Sequence, residues 1–203
     1  MRFTSIERYA SKHGIAVVMP DGGRCWYSDT AYGMKYLTFI TEELPKVFRS
    51  FFKGASERRE DNFIAGLSMG GYGALKAALT FPEKYFAVVS LSGALDITRR
   101  GRAYDLSEWQ SIFGFEIEDA IELENSEHDL FALLEKCLKD AKEIPSPYIW
   151  CGTEDTLLPV NEKFSEKLSE NNISHYFAKS EGDHSWKWWD MHIEKALDYI
   201  FLK

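Results

Sequence analysis

Short apolar runs alternate along the chain with longer stretches in which apolar residues recur every three or four positions. Ile15–Met19 reads as a buried strand, stopped by Pro20-Asp21-Gly22-Gly23. Leu37, Ile40, Leu44, Val47, Phe48 and Phe51 fall at helical spacing and predict an amphipathic helix over roughly 34–53, with Pro45 kinking or restarting it. Further strands are predicted at 62–67, 86–91, 147–151 and 174–178. Helices are predicted at 71–80, 159–171 and 185–202, the first of them rich enough in small residues to lie close against a sheet. Strands alternating with helices predict an α/β class, a mostly parallel sheet with helices on both faces. The stretch 94–145 breaks this rhythm. It holds no convincing strand, but it has acidic helical pieces at 117–123 and 129–138 and the aromatics Trp109, Phe113 and Phe115. It reads as a helical cap inserted at about 94–146 over the C-terminal edge of the sheet; peripheral helices without ligand contact are the alternative.

Composition narrows the function classes. A length of 203 residues suits one domain, 1–203, with the cap as part of it. Lys and Arg number 24 against 32 Asp and Glu, a net charge of −8 without a basic run, so the electrostatic footprint of a nucleic-acid binder is missing. The apolar runs fall far short of the roughly 20 residues that span a bilayer, so no membrane partner is expected. Cys25, Cys137 and Cys151 form neither a CxxC pair nor a disulfide framework and read as reduced thiols of a cytoplasmic protein. No metal-ligand cluster or phosphate-binding glycine loop appears, so neither a metal nor a cofactor is called for.

The candidate chemistry centres on Gly66-Leu67-Ser68-Met69-Gly70, a match to G-x-S-x-G with an apolar strand directly before it and a small-residue helix directly after. That setting makes a strained strand-to-helix turn which presents the serine hydroxyl at the sheet edge, with a helix N-terminus behind it to favour developing negative charge. The flanking glycines are expected to be required on both sides of Ser68, where strand and helix pass too closely for a Cβ. A serine needs a base. Of His13, His128, His175, His184 and His192, His184 follows the last strand and precedes the last helix, which brings it to the edge where Ser68 lies. The base needs a carboxylate to fix its tautomer. Asp155 directly follows the fourth of these strands; Glu154 and Asp183 are its rivals. The order Ser68, Asp155, His184 is the chain order of an α/β-hydrolase triad.

The segments GLSMGGYGALKAAL, SGALD, CGTEDTL and GDHSWKWWD, with PDGGRCWYSDT and EELPKVF upstream, resemble the esterase D-like branch of the α/β-hydrolases, most of all the bacterial tributyrin esterases. The resemblance runs from Ile6 to the end. It implies cleavage of short-chain acyl esters, with Ser68 as nucleophile, Asp155 as acid and His184 as base. It also implies a further stretch of about 50–60 residues ahead of this point, ending in a His-Gly loop that supplies one of two oxyanion N–H groups. His13-Gly14 precedes a predicted strand and does not fit that role, so the Met69 amide is the one oxyanion donor that can be named. The early strands then read as absent, and the slot between Ile15–Met19 and Phe63–Leu67 must close by direct pairing of the two or be filled by another polypeptide.

Trp26, Tyr27 and Trp186 are the candidate substrate-binding residues, with Trp109 or Phe113 contributed from the cap. The reading is a serine esterase acting on a small-molecule ester, with a homo-oligomer left open. Hydrolysis of S-formylglutathione-type thioesters is the alternative, with acyl transfer behind it, and a non-catalytic binding protein of the same fold is the rival class.

Overall fold

The computed structural model describes residues 3–98, 106–114, 116 and 118–201. The chain opens with α1 (Ile6–His13), ended by Gly14 in a left-handed conformation. Next comes one long helical stretch made of α2 (Tyr36–Thr38), a π-turn (Phe39–Glu43) and α3 (Leu44–Phe51). The π-turn is where Pro45 acts. Proline has no N–H to give to Thr41 O, and that carbonyl accepts instead from Lys84 Nζ at 3.2 Å.

The alternating core follows: β1 (Phe63–Leu67), α4 (Met69–Thr80), β2 (Ala87–Leu91), α5 (Leu106–Phe113), α6 (Leu130–Lys139), β3 (Ser146–Gly152), α7 (Leu158–Glu170), β4 (Tyr176–Ser180) and α8 (Trp186–Phe201). The four strands pair in parallel in the order β1-β2-β3-β4. Side chains alternate across this sheet as the pleat requires. Ile64, Val88, Ile149 and Phe177 face the layer of α4, α6 and α7. Leu67, Val89, Leu91, Tyr148, Trp150 and Ala178 face α8. In β2 all five residues are buried, as befits a central strand covered on both faces. Helix α1 packs outside α8: Asp190 accepts from Ser5 N at 2.7 Å and Tyr9 Oη at 3.1 Å, and Asp198 bonds Lys12 and His13.

One predicted strand is absent. Ile15–Met19 forms no ladder with any described residue, and Val17, Val18 and Met19 are exposed. An apolar run becomes a strand only where a neighbour takes its N–H and C=O groups, and among the described residues β1 pairs with β2 alone. Of the two arrangements expected for the slot, direct pairing of the two segments is not found among the described residues.

The insertion at 94–145 carries no strand among the described residues and holds α5, a 3₁₀ turn (Ala120–Leu123) and α6. Trp109, Ile112, Leu123, Leu130, Leu133, Leu134 and Cys137 join the same buried cluster as α4. These helices thus form part of the core that fixes α4. Phe115 and Ile117 lie outside the described residues. No helix is long and apolar enough to cross a membrane among the described residues.

Candidate active site

Because the strands are parallel, the loop after each one emerges at the same edge. Ser68 follows β1 directly, Ser92 follows β2, Asp155 comes three residues after β3, and His184 comes four after β4. Ser68 has φ 53° and ψ −119°, a backbone conformation that strongly disfavours a side chain. Its peptide groups are tied down on both sides. Ser68 N donates to Leu91 O, while Ser68 O accepts from the amides of Gly71, Tyr72 and Ala94. The Met69 amide, first in α4, has no carbonyl partner among the described residues, and the helix dipole favours negative charge there.

The glycines of the motif are not equivalent. A Cβ on Gly66 would sit 2.9 Å from Gly70 Cα and closer still to the Gly70 carbonyl, whereas one on Gly70 would meet only the Tyr27 ring at 3.7–3.9 Å. Of the two glycines flanking Ser68 at two residues' distance, the expectation of crowding therefore holds at Gly66 alone, because a Cβ on Gly70 would point away from the strand toward Tyr27.

The three predicted side chains come together. His184 Nε2 lies 2.9 Å from Ser68 Oγ, and His184 Nδ1 lies 2.7 Å from Asp155 Oδ2. The Asp155 side chain is fully buried, and its Oδ1 accepts from Leu157 N at 2.9 Å. A carboxylate can only accept, so the His184 proton sits on Nδ1 and the Nε2 lone pair faces the serine hydroxyl. The His184 side chain keeps 39% of its surface open, which leaves Ser68 approachable. Beside Asp155, burial and the aspartate charge push the Cys151 thiol up to about 12, so it stays neutral.

The loops of Asp155 and His184 are held backbone to backbone. Thr153 N donates to Ser180 O and Glu154 N to Gly182 O. A Cβ on Gly152 would lie 3.0 Å from Gly182 Cα and closer still to its carbonyl, so this contact requires glycine. Of the rivals to Asp155, Glu154 is exposed, with no hydrogen-bond partner for its carboxylate among the described residues, and the Asp183 carboxylate accepts from Ser185 Oγ.

The other histidines are occupied elsewhere. His13 pairs with Asp198 and His175 with Ser165. His192 is buried and stacks on Trp150 with centroids 3.8 Å apart, and burial lowers its pKa to about 4. His128 accepts from Lys76, and burial together with that lysine lowers it to about 3. Lys76, almost wholly buried within α4, also donates to Ser28 Oγ at 2.7 Å and is itself lowered to about 8 by burial. Nothing in the residue spacing marked it.

The predicted substrate-binding aromatics separate. Trp26 is 5% exposed and packs against Tyr72 and Trp109, so it is a core side chain and not a pocket wall. Trp109 is likewise buried. Tyr27 is half-buried, with its ring against Gly22, Gly70 and Gly73 beside the serine turn. Trp186 is exposed, stacked on Phe3 and edge-on to Trp189, whose ring in turn meets His184 at 4.8 Å. No group of metal-ligating side chains is found among the described residues.

Comparison with known proteins sets this site in a family. The profile of the family described as "Putative esterase" matches residues 2–200. The chain belongs to that esterase family of α/β-hydrolases. An acetyl esterase of Caldicellulosiruptor saccharolyticus is 29% identical over 204 residues, which cover 96% of this chain and 75% of that protein. The fluorophosphonate-binding serine hydrolase F of Staphylococcus aureus, solved with substrate bound, superposes with a TM-score of 0.88 at 35% identity, covering 99% of this chain and 77% of that one. The S-formylglutathione hydrolase of the same organism, an apoenzyme, superposes with a TM-score of 0.85 at 36% identity over the same shares. With this membership the esterase is a carboxylic ester hydrolase.

Proposed function

We propose that this esterase hydrolyses short-chain carboxylic esters through an acyl-enzyme on Ser68. The observation that carries the reading is the unbroken hydrogen-bonded chain from Ser68 Oγ through His184 to the buried Asp155 carboxylate. Ser68 Oγ attacks the ester carbonyl carbon as its proton passes to His184 Nε2. Asp155 keeps the ring in the right tautomer and offsets the charge it acquires. The carbonyl oxygen becomes an oxyanion, and the Met69 amide at the start of α4 donates to it. The tetrahedral adduct collapses, His184 gives its proton to the departing alcohol, and the acyl group stays on Ser68. Water then repeats the sequence with His184 as base and releases the acid. Tyr27 and Trp186 flank this centre as candidate walls for the acyl or alcohol portion. Similarity to the acetyl esterase and the sequence resemblance to tributyrin esterases both favour a short acyl group.

A thioester of the S-formylglutathione type is the second reading, favoured by 36% identity to a hydrolase of that name across nearly the whole chain. The same steps apply, with a thiol leaving in place of an alcohol. The three free, buried cysteines support a reducing compartment, the cytoplasm.

The test compares parent and Ser68→Ala on p-nitrophenyl acetate, butyrate and octanoate, on S-formylglutathione, and on a fluorophosphonate probe. The parent should label with the probe and prefer the two shorter esters. Ser68→Ala should lose labelling and several orders of magnitude in rate. A variant that retains about a tenth of the parent rate would remove Ser68 from the mechanism. A parent that prefers the thioester by more than about tenfold in kcat/KM would select the second reading.

A further inference from the structure

The loop after β2 contributes none of the three side chains above, yet its strand lies between β1 and β3. Three consecutive residues of this loop each reach one of the three functional segments. Ala94 N donates to Ser68 O at 3.0 Å, which grips the serine turn. Gly93 O accepts at 2.8 Å from Asn161 Nδ2, which donates also to Leu157 O at 2.8 Å, beside the amide that holds Asp155. Ser92 Oγ accepts at 3.1 Å from Trp189 Nε1, and the Trp189 ring stands edge-on to His184 with centroids 4.8 Å apart and planes at 88°. Ser92, Asn161 and Trp189 are all buried, the first two with no exposed surface.

Two features mark this loop as more than a connection. Ser92 has φ 47°, a left-handed conformation that a serine adopts only against strain, and its neighbour in sequence is a glycine that could have taken the strain instead. The bond to Trp189 is what a serine offers there and a glycine does not. The Trp189 indole, for its part, could fill its place without a donor, but its N–H is directed at a hydroxyl whose backbone is fixed to the sheet, since Ser92 N donates to Trp150 O at 2.7 Å.

We infer that Ser92–Ala94 is a positioning loop that holds the three functional segments in register, and that Trp189, anchored on Ser92, is the positioning residue for the His184 ring. The inference rests on the proposed roles of Ser68, Asp155 and His184. Neither Ser92 nor Trp189 touches the reacting atoms. They set the angle at which Nε2 meets the serine hydroxyl, and small displacements of that kind lower the turnover step far more than binding.

The experiment uses the full chain with Ser92→Ala, Ser92→Gly, Trp189→Phe, the double variant Ser92→Ala/Trp189→Phe, and Ser68→Ala. Trp189→Phe keeps an aromatic ring beside His184 and removes the donor along with part of the buried indole, so the Ser92 variants serve as its control. Ser92→Gly removes the acceptor but relieves the left-handed strain, which offsets part of the cost of the unpaired indole N–H, so its unfolding midpoint should lie nearer the parent's than that of Ser92→Ala. Each single variant should lose about five- to a hundredfold in kcat and in the rate of fluorophosphonate labelling, with KM held within about twofold. The double variant should fall no further than the worse single, because both remove one interaction. Ser92→Gly separates the roles: a purely structural loop would leave kcat intact wherever stability is intact. Unchanged kcat in Ser92→Gly and Ser92→Ala, or losses that multiply in the double variant, would overturn the inference while Ser68→Ala remains inert. Should Trp189→Phe fail to fold, the two Ser92 variants decide alone. Labelling that survives in Ser68→Ala would instead overturn the catalytic reading, and this inference with it.

Discussion

Replacing Gly66 by alanine would build a Cβ 2.9 Å from Gly70 Cα and nearer still to the Gly70 carbonyl, where carbon atoms ordinarily rest at about 3.5–4.0 Å. The obstacle is backbone, locked by the first turn of α4 and by the bonds that fix Ser68, so it cannot rotate aside as a side chain would. The strand and helix would have to separate. Overpacking costs about 1–3 kcal/mol, and rigid backbone puts this case at or above the upper end. At about 2–4 °C per kcal/mol for a domain of this size, 3 kcal/mol lowers the unfolding midpoint by about 6–12 °C. Gly70→Ala provides the internal control from the same motif. Its Cβ would rest in ordinary contact with Tyr27, in the first turn of a helix, where alanine is favoured over glycine by at most about 1 kcal/mol. Its stability should therefore hold or rise slightly. Thermal and urea unfolding followed by circular dichroism, on both variants and the parent, makes the comparison. Gly66→Ala within about 0.5 kcal/mol of the parent, or Gly70→Ala destabilised as much as Gly66→Ala, would refute the close-approach argument.

Three further outcomes are expected. Asp155→Asn keeps an acceptor for Leu157 N but presents an amide N–H toward His184 Nδ1, forcing the wrong tautomer. Steady-state kinetics should record a loss of about 10⁴ in kcat with the fold unchanged, and a loss below about tenfold would count against the orienting role. Buried His192 stays neutral in the fold down to about pH 4, while the unfolded chain takes up its proton near 6.5. The His192 contribution to stability should therefore be full above pH 6.5 and fall by roughly 3 kcal/mol as the pH drops to 4, and urea titrations of His192→Phe should lack that part of the slope. Lys76, lowered to about 8, is held charged at a cost below that pH. The parent should gain stability relative to Lys76→Met between pH 8 and 10.5, and a constant difference across that range would show that the lysine is not strained by burial.

The elements with a strong period were legible from the residues alone. Small side chains at Ala74, Ala77 and Ala78 marked α4 as a helix that lies against a sheet, and the apolar runs at β1, β2 and β3 fell within a residue or two of their observed ends. Ser68, Asp155 and His184 could be singled out for the same reason. Each is set by its place after a strand, and parallel strands deliver such residues to one edge whatever the details of packing. The failures have a common cause. Ile15–Met19 has the composition of a strand, but a strand exists only with a partner, and pairing is not written in the run itself. Trp26, Trp186 and Trp189 are the same residue type in similarly aromatic surroundings, yet one fills the core, one lies exposed on Phe3 and one braces His184. Ser92 opens the SGALD segment, but that segment gave it no role of its own; its place in the site lies in a backbone angle and a bond to a residue 97 positions away. Local pattern determined which residues could do the chemistry. The long-range packing of α8 and α7 onto the loop after β2 decided how they are held, because those contacts depend on distances that no spacing along the chain encodes.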